Sequence, residues 1–168
     1  RRIPADSLTA YHRPGNGVEP ADVVDYPPGF MVVAGSGAAE APHGRDVVAW
    51  SCGSSAACTD TPSACPPDTT LRLVVTFPDC WYESRLTSVG SGAHVRYSDD
   101  GCPGSHPVPI PQLLMAIDYP PIDPEGLSFS SGSIDSAHAD FWNTWDQDKL
   151  EREVSVCLNR DLVCGVSD

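Results

Sequence analysis

A chain of 168 residues with 23 acidic and 10 basic side chains carries a net charge of −13, and Lys149 is its single lysine. The length fits one domain with a real core, the charge leaves no basic stripe to hold a nucleic-acid phosphate backbone, and no run of about 18 apolar residues is present to span a membrane. Seventeen prolines and fourteen glycines exclude a helical bundle and favour short strands joined by turns.

Residues 1–28 read as an extended N-terminal segment, with turns at His12-Arg13-Pro14-Gly15-Asn16-Gly17 and Tyr26-Pro27-Pro28-Gly29 and no regular element demanded before residue 29. The start at Arg1, without a methionine or a visible signal peptide, suggests a processed or trimmed beginning. Residues 29–168 read as a single disulfide-stabilised, β-rich domain. Phe30 to Ala34 and Asp46 to Trp50 are short apolar runs that fit buried strands. The clearest strand is Thr70 to Phe77, where Leu71, Leu73, Val75 and Phe77 share one face at period two, and Pro78 ends it. His94 to Tyr97, Gln112 to Ile117 and Leu127 to Ser130 read as further strands. One segment reads as a helix: Asp146 is a suitable N-cap, and Leu150, Val154, Cys157 and Leu158 follow at helical spacing. The expected fold is therefore mainly β, an antiparallel β-sandwich or one curved sheet, with a single C-terminal helix.

Seven cysteines show no Cys-x-x-Cys pair and no zinc-finger spacing, so disulfides account for them better than metal thiolates, and disulfides imply an oxidising, extracellular setting. Proximity favours Cys52 with Cys65, Cys80 with Cys102, and Cys157 with Cys164. Cys58 is left over, either as a free thiol or as the partner of a further N-terminal portion or a second chain.

The densest chemistry lies between Asp79 and Asp146. The words Phe77-Pro78-Asp79-Cys80-Trp81, His94, Gly101-Cys102-Pro103, Ser105-His106-Pro107, Pro109 to Leu113 and His138-Ala139-Asp140-Phe141, with Asn143 to Asp146, resemble the core of a secreted bacterial and fungal family catalogued as a domain of unknown function. The resemblance runs from roughly Gly29 to Cys157. It implies export and, because some members are fused to carbohydrate-binding modules, a polysaccharide connection by analogy. The family's longer N-terminal portion with a His-x-His word has no counterpart here. Tyr82-Glu83 stands where the family usually has Asp-Gly, and Thr144 replaces a glycine, so a backbone turn is expected to change shape at these places.

Asp79, His94, His106, His138 and Asp140 are the candidate catalytic set. Three imidazoles and a carboxylate, His94, His106, His138 and Asp140, would suit a divalent metal if they converged, although no His-Glu-x-x-His word is present. Asp79 and Asp140 are the candidate carboxylate pair for glycosidic hydrolysis, which needs one proton donor and one base or nucleophile. Trp81, Tyr97, Trp142 and Trp145, with Tyr82, are candidates to stack on sugar rings, and Trp81 beside a disulfide equally fits a core position. The structural alternatives are that His106 hydrogen-bonds backbone in a proline-rich turn, that His138 and Asp140 pin the loop before the helix, and that His12 and His43 face solvent. A serine nucleophile finds no Gly-x-Ser-x-Gly word around Ser105 or Ser136. The expected function is a secreted domain that binds or hydrolyses an extracellular polysaccharide through a loop-built His, Asp and Trp pocket. A non-catalytic structural or cell-surface module and a metal-dependent secreted enzyme are the alternatives.

Overall fold

A computed structural model describes residues 2–89 and 92–165. The strands are β1 (Ser7–Arg13), β2 (Met31–Gly35), β3 (Val48–Cys52), β4 (Leu71–Thr76), β5 (Cys80–Trp81), β6 (Val95–Arg96), β7 (Val108–Pro109), β8 (Gln112–Tyr119) and β9 (His138–Trp142), and the one α-helix among the described residues is α1 (Gln147–Val156). The fold is mainly β with antiparallel pairing and a C-terminal helix. The sheets have the orders β1-β8-β4-β3, β6-β5-β7 and β2-β9. The chain divides into two compact units, the first from Arg1–Tyr11, Val33–Thr76 and Leu114–Ala139, the second from His12–Val32, Phe77–Leu113 and Asp140–Asp168.

The first unit is organised by β4. Its period-two apolar face buries Leu71, Leu73 and Val75, and antiparallel registers set Trp50 opposite Leu73 and Leu73 opposite Ile117. On the other face Arg72 meets Asp118 through two charge-assisted hydrogen bonds of 2.7 and 2.8 Å, which raise the guanidinium's pKa and lower the carboxyl's. The Cys52–Cys65 disulfide closes the loop after β3, and Thr59 bridges back to Trp50.

The second unit has an aromatic core. Tyr26 stacks on Phe30 at 5.6 Å and meets Phe141 at 4.9 Å, while Phe77 packs edge-on to Phe141. Ile110 and Leu113 are fully or almost fully buried, and the Cys80–Cys102 disulfide lies inside this unit. The Asp146 carboxylate caps α1 by accepting from the Lys149 backbone N–H at 3.0 Å, and Leu150 and Val154 form the helix's buried stripe. Cys157 bonds Cys164 just beyond it. Cys58 is free.

Three expectations change. The N-terminal segment is not without regular structure: residues 7–13 form β1, residues 20–22 a 3-10 helix, and Val23 and Tyr26 are buried. Almost every β1 side chain is exposed, so the strand has no apolar alternation by which the sequence could reveal it. The strand expected at 127–130 shrinks to a bridge between Phe129 and Gly132, whose backbones exchange hydrogen bonds of 3.0 and 3.2 Å, because the serine-rich chain turns back on itself. The residues before the helix, read as a loop, form β9 instead.

Candidate functional site

Asp79 follows the strand-ending Pro78, and its side chain is fully buried in the second unit. Its Oδ1 accepts from the Ser98 backbone N–H at 3.0 Å and from Gln112 Nε2 at 3.1 Å. Gln112 Oε1 in turn accepts from Arg13 Nε at 3.0 Å, so a cation reaches the buried carboxylate through an amide. Asp79 Oδ2 and Ser98 Oγ are buried without hydrogen-bond partners. Both press on Gly15: a Cβ there would lie 1.6 Å from Asp79 Oδ2 and 2.4 Å from Ser98 Oγ. Burial, and next the Asp79 charge, push the Tyr26 and Tyr97 phenols well above their ordinary range. Arg13, Gly15 and Ser98 are neighbours of Asp79 that motif reasoning missed, and Gln112 stood in a motif word without any sign of its contact with Asp79. The turn word His12 to Gly17 and the Pro111-Gln112 step were visible in the sequence, but nothing local tied them to Asp79.

His94 and His106 are both buried in the same unit. His94 Nδ1 pairs with Ser88 Oγ at 2.9 Å, its ring packs on Phe30 at 5.2 Å, and its Nε2 has no partner. Burial lowers the His94 pKa, the Met31 backbone opposes that shift, and neighbouring His106 adds to it. His106 lies 3.1 Å from the Ala93 carbonyl through Nε2 and 3.0 Å from Ser105 Oγ through Nδ1. The carbonyl can only accept, so Nε2 carries the proton and Nδ1 accepts from the serine hydroxyl. This is the structural role open to a histidine before proline. Tyr82 leans on the His106 ring at 5.7 Å and is 47% exposed.

Above this pair lies an open hollow of about 500 Å³, lined by Tyr82, Glu83, Ser84, Gly104, Ser105 and Pro107. Glu83 has φ +69, the left-handed region that favours glycine. The resemblance expects glycine at this place, and the backbone keeps that conformation with a glutamate in it. Thr144 has no positive φ, so its substitution costs nothing of that kind.

The remaining candidates scatter. His138, Asp140 and Trp142 are exposed at alternate positions of β9. His138 belongs to the first unit, where Nδ1 donates to the Ser136 carbonyl at 2.9 Å and the ring covers Gly37. Trp81 is held by an indole N–H to Arg85 carbonyl bond of 2.6 Å and sits edge-on to Phe30, a core-like position. Tyr97 is half-buried, whereas Trp142 and Trp145 are exposed. His12, expected in solvent, is half-buried between Tyr26 and Trp145, and burial lowers its pKa; His43, also half-buried, accepts from the Ser36 backbone N–H at 3.1 Å. Among the described residues no group of three or more His, Cys, Asp or Glu is placed to hold a metal ion, so the expected set of His94, His106, His138 and Asp140 does not assemble. Nδ1 of each of the three histidines meets a hydroxyl or a carbonyl instead, while His94 Nε2 is left without a partner.

The family model described as Domain of unknown function (DUF1996) matches residues 2–145. The chain belongs to this family. The DUF1996 match begins well before Gly29, so it takes in β1 and the His12 to Gly17 turn that supplies Arg13 and Gly15 to the Asp79 network, and it stops short of α1. Comparison with curated proteins and with solved structures returned no match.

As a chemical device the second unit offers an open hollow with one aromatic face, two hydroxyls and one carboxylate, whose Tyr82 and Ser105 are backed by the buried His106. The buried carboxylate of the unit, Asp79, is not part of that lining: its Oδ1 is held by backbone and amide donors and its Oδ2 is enclosed without a partner.

Proposed function

We propose that this DUF1996 domain is an exported module that binds an extracellular polysaccharide without cleaving it, with the Tyr82 hollow as the sugar site. The observation that carries the reading is the hollow's composition. An exposed phenol ring can stack on the apolar face of a pyranose, while the Ser84 and Ser105 hydroxyls and the Glu83 carboxylate meet sugar hydroxyls. Exposed Trp142 and Trp145 offer further stacking surfaces of the same kind. Three intrachain disulfides support export, since such bonds persist in oxidising compartments. No helix among the described residues is long and apolar enough to cross a membrane.

Binding is favoured over hydrolysis because the nominated carboxylates do not form an acid–base pair at a groove. Asp79 has no solvent contact, and Asp140 stands exposed on β9. The test is affinity electrophoresis or calorimetry on a panel of soluble and insoluble cell-wall polysaccharides, with reducing-end release followed in parallel. At least one polysaccharide binds the parent, Tyr82→Ala weakens that binding about tenfold, as expected for loss of one stacking ring worth roughly 1–1.5 kcal/mol, and no reducing ends appear. Absence of binding across the panel, or equal binding by Tyr82→Ala, overturns the site; reducing-end release that is lost in Asp140→Asn overturns the non-hydrolytic reading.

A further inference from the structure

The first unit contains a second cavity, independent of the Tyr82 hollow. It has a volume of about 500 Å³ and is half enclosed, with Trp50 of β3, Leu71 of β4 and Tyr119 of β8 on the sheet side and Phe129 and Ile134 from the loop that follows β8. That size lies within the range of small-ligand sites, roughly 300–1,000 Å³. Trp50 and Leu71 are almost wholly buried, and the Phe129 ring stacks on Trp50 at 6.1 Å with 27° between planes. The deep end of the cavity is thus an aromatic pair beside a leucine, and its mouth carries the polar lining.

One charge lines this cavity, and it is a cation. Arg2 is exposed there, with Ser128 and Ser130 supplying the nearby hydroxyls. In a chain of net charge −13, cations are scarce. Within this unit Arg72 pairs with Asp118 and Arg45 with Asp60, whereas Arg2 has no ion pair among the described residues. A guanidinium without an ion pair, at the mouth of a cavity whose deep end is aromatic and aliphatic, suits a ligand with one anionic head and an apolar body.

We propose that this cavity binds a small amphipathic monocarboxylate, its hydrocarbon or aryl body against Trp50, Leu71 and Phe129 and its carboxylate on Arg2. An aliphatic acid and an aromatic acid share this chemistry. The nearly parallel Trp50 and Phe129 rings already stack on each other, so the ligand adds to a closed pair and need not be flat.

Calorimetry and Trp fluorescence on the intact chain test it, with decanoate and 2-naphthoate as the anionic probes and decanol and decyltrimethylammonium as the neutral and cationic ones, all below their aggregation concentrations. The expected result is saturable binding of one decanoate or one naphthoate per chain, with decanol weaker and the cation not bound. Arg2→Gln, at an exposed position, weakens the acids about fivefold or more while leaving decanol unchanged. Ser128→Trp, in the exposed part of the lining, fills the cavity and abolishes binding of both. A preference between the two acids identifies the body the cavity fits. The proposal is overturned if neither acid saturates, if Arg2→Gln binds the acids as the parent does, or if Ser128→Trp, folded by circular dichroism, still binds them.

Discussion

Gln112 Nε2 donates to Asp79 Oδ1 at 3.1 Å inside the second unit, and both residues are buried. The contact joins the end of β4's extension to the start of β8, and through Gln112 Oε1 it reaches Arg13 in the N-terminal segment. Three distant stretches of sequence therefore depend on one carboxylate for their alignment.

Removing that carboxylate leaves the Ser98 N–H and the Gln112 amide buried without an acceptor. Each orphaned buried donor costs about 1–3 kcal/mol, so Asp79→Ala is expected to lower the unfolding free energy by roughly 2–5 kcal/mol, against about 1–2 kcal/mol for Arg13→Ala, whose own side chain is exposed. Urea unfolding with disulfides intact, followed by Trp fluorescence, measures both. Equal losses in the two variants would contradict a central place for Asp79.

Acid sensitivity follows from the buried imidazoles. Burial lowers the folded-state pKa of His94 and of His12 from the ordinary 6.5, so below that value the unfolded chain takes up protons that the folded chain refuses. Stability is whole above about pH 6.5 and falls as pH drops from there toward the depressed folded values, with a slope of up to about 1.4 kcal/mol per pH unit for each such histidine. His94→Gln, which does not titrate, should flatten the pH 5–6.5 limb of the denaturation midpoint relative to the parent, even if its stability at pH 8 is lower. A parent whose midpoint is unchanged between pH 7.5 and 5 would contradict the assignment.

How much of this was written locally in the sequence depends on whether a residue's role is set by its neighbours in the chain. The period-two face of Leu71, Leu73 and Val75, the Asp146 cap with Leu150 and Val154, and the three short-range cystines are all local patterns, and all are found as expected. β1 and β9 were not legible, because an exposed or half-exposed strand has no continuous apolar face. The candidate site was legible only in part. His94 and His106 do lie in one unit beneath Tyr82, but loops decide where a side chain ends up, so nothing in the words around His138 or Asp140 told which way each would point.

The disulfides should rank by loop length. The chain-entropy argument gives about 3 kcal/mol for loops of this order, with Cys80–Cys102, 22 residues apart, ahead of Cys52–Cys65 at 13 and Cys157–Cys164 at 7. Cys80 is also fully buried, so opening its bridge loosens packing as well. Double Cys→Ser variants compared by thermal unfolding should follow that order. Cys58→Ser should leave the melting temperature within about a degree or two and remove the one thiol that alkylates in the unfolded, unreduced parent.

Gly15 is needed for lack of a side chain rather than for its backbone freedom. A Cβ at that position would sit 1.6 Å from Asp79 Oδ2, and the carboxylate cannot retreat without giving up Ser98 or Gln112. Gly15→Ala is expected to destabilise by about 3 kcal/mol or more, beyond the usual overpacking cost. The double variant Gly15→Ala, Asp79→Ala should recover part of that loss, since the clash and its cause go together. Additive losses in the double variant would show that Gly15 acts through something other than Asp79.

Glu83 holds a left-handed backbone at φ +69 on the wall of the Tyr82 hollow. A non-glycine residue there costs about 1 kcal/mol, which its side chain must justify, and among the contacts of this exposed residue none repays it within the fold. Glu83→Gly should therefore raise the unfolding free energy by about 1 kcal/mol. If the carboxylate serves the sugar site, the same variant should lose polysaccharide affinity by about fivefold or more while Glu83→Gln loses less, because an amide still accepts from sugar hydroxyls. A variant that is more stable and binds as tightly as the parent would mean that Glu83 is strain without a use, and would leave Tyr82 as the site's single anchor.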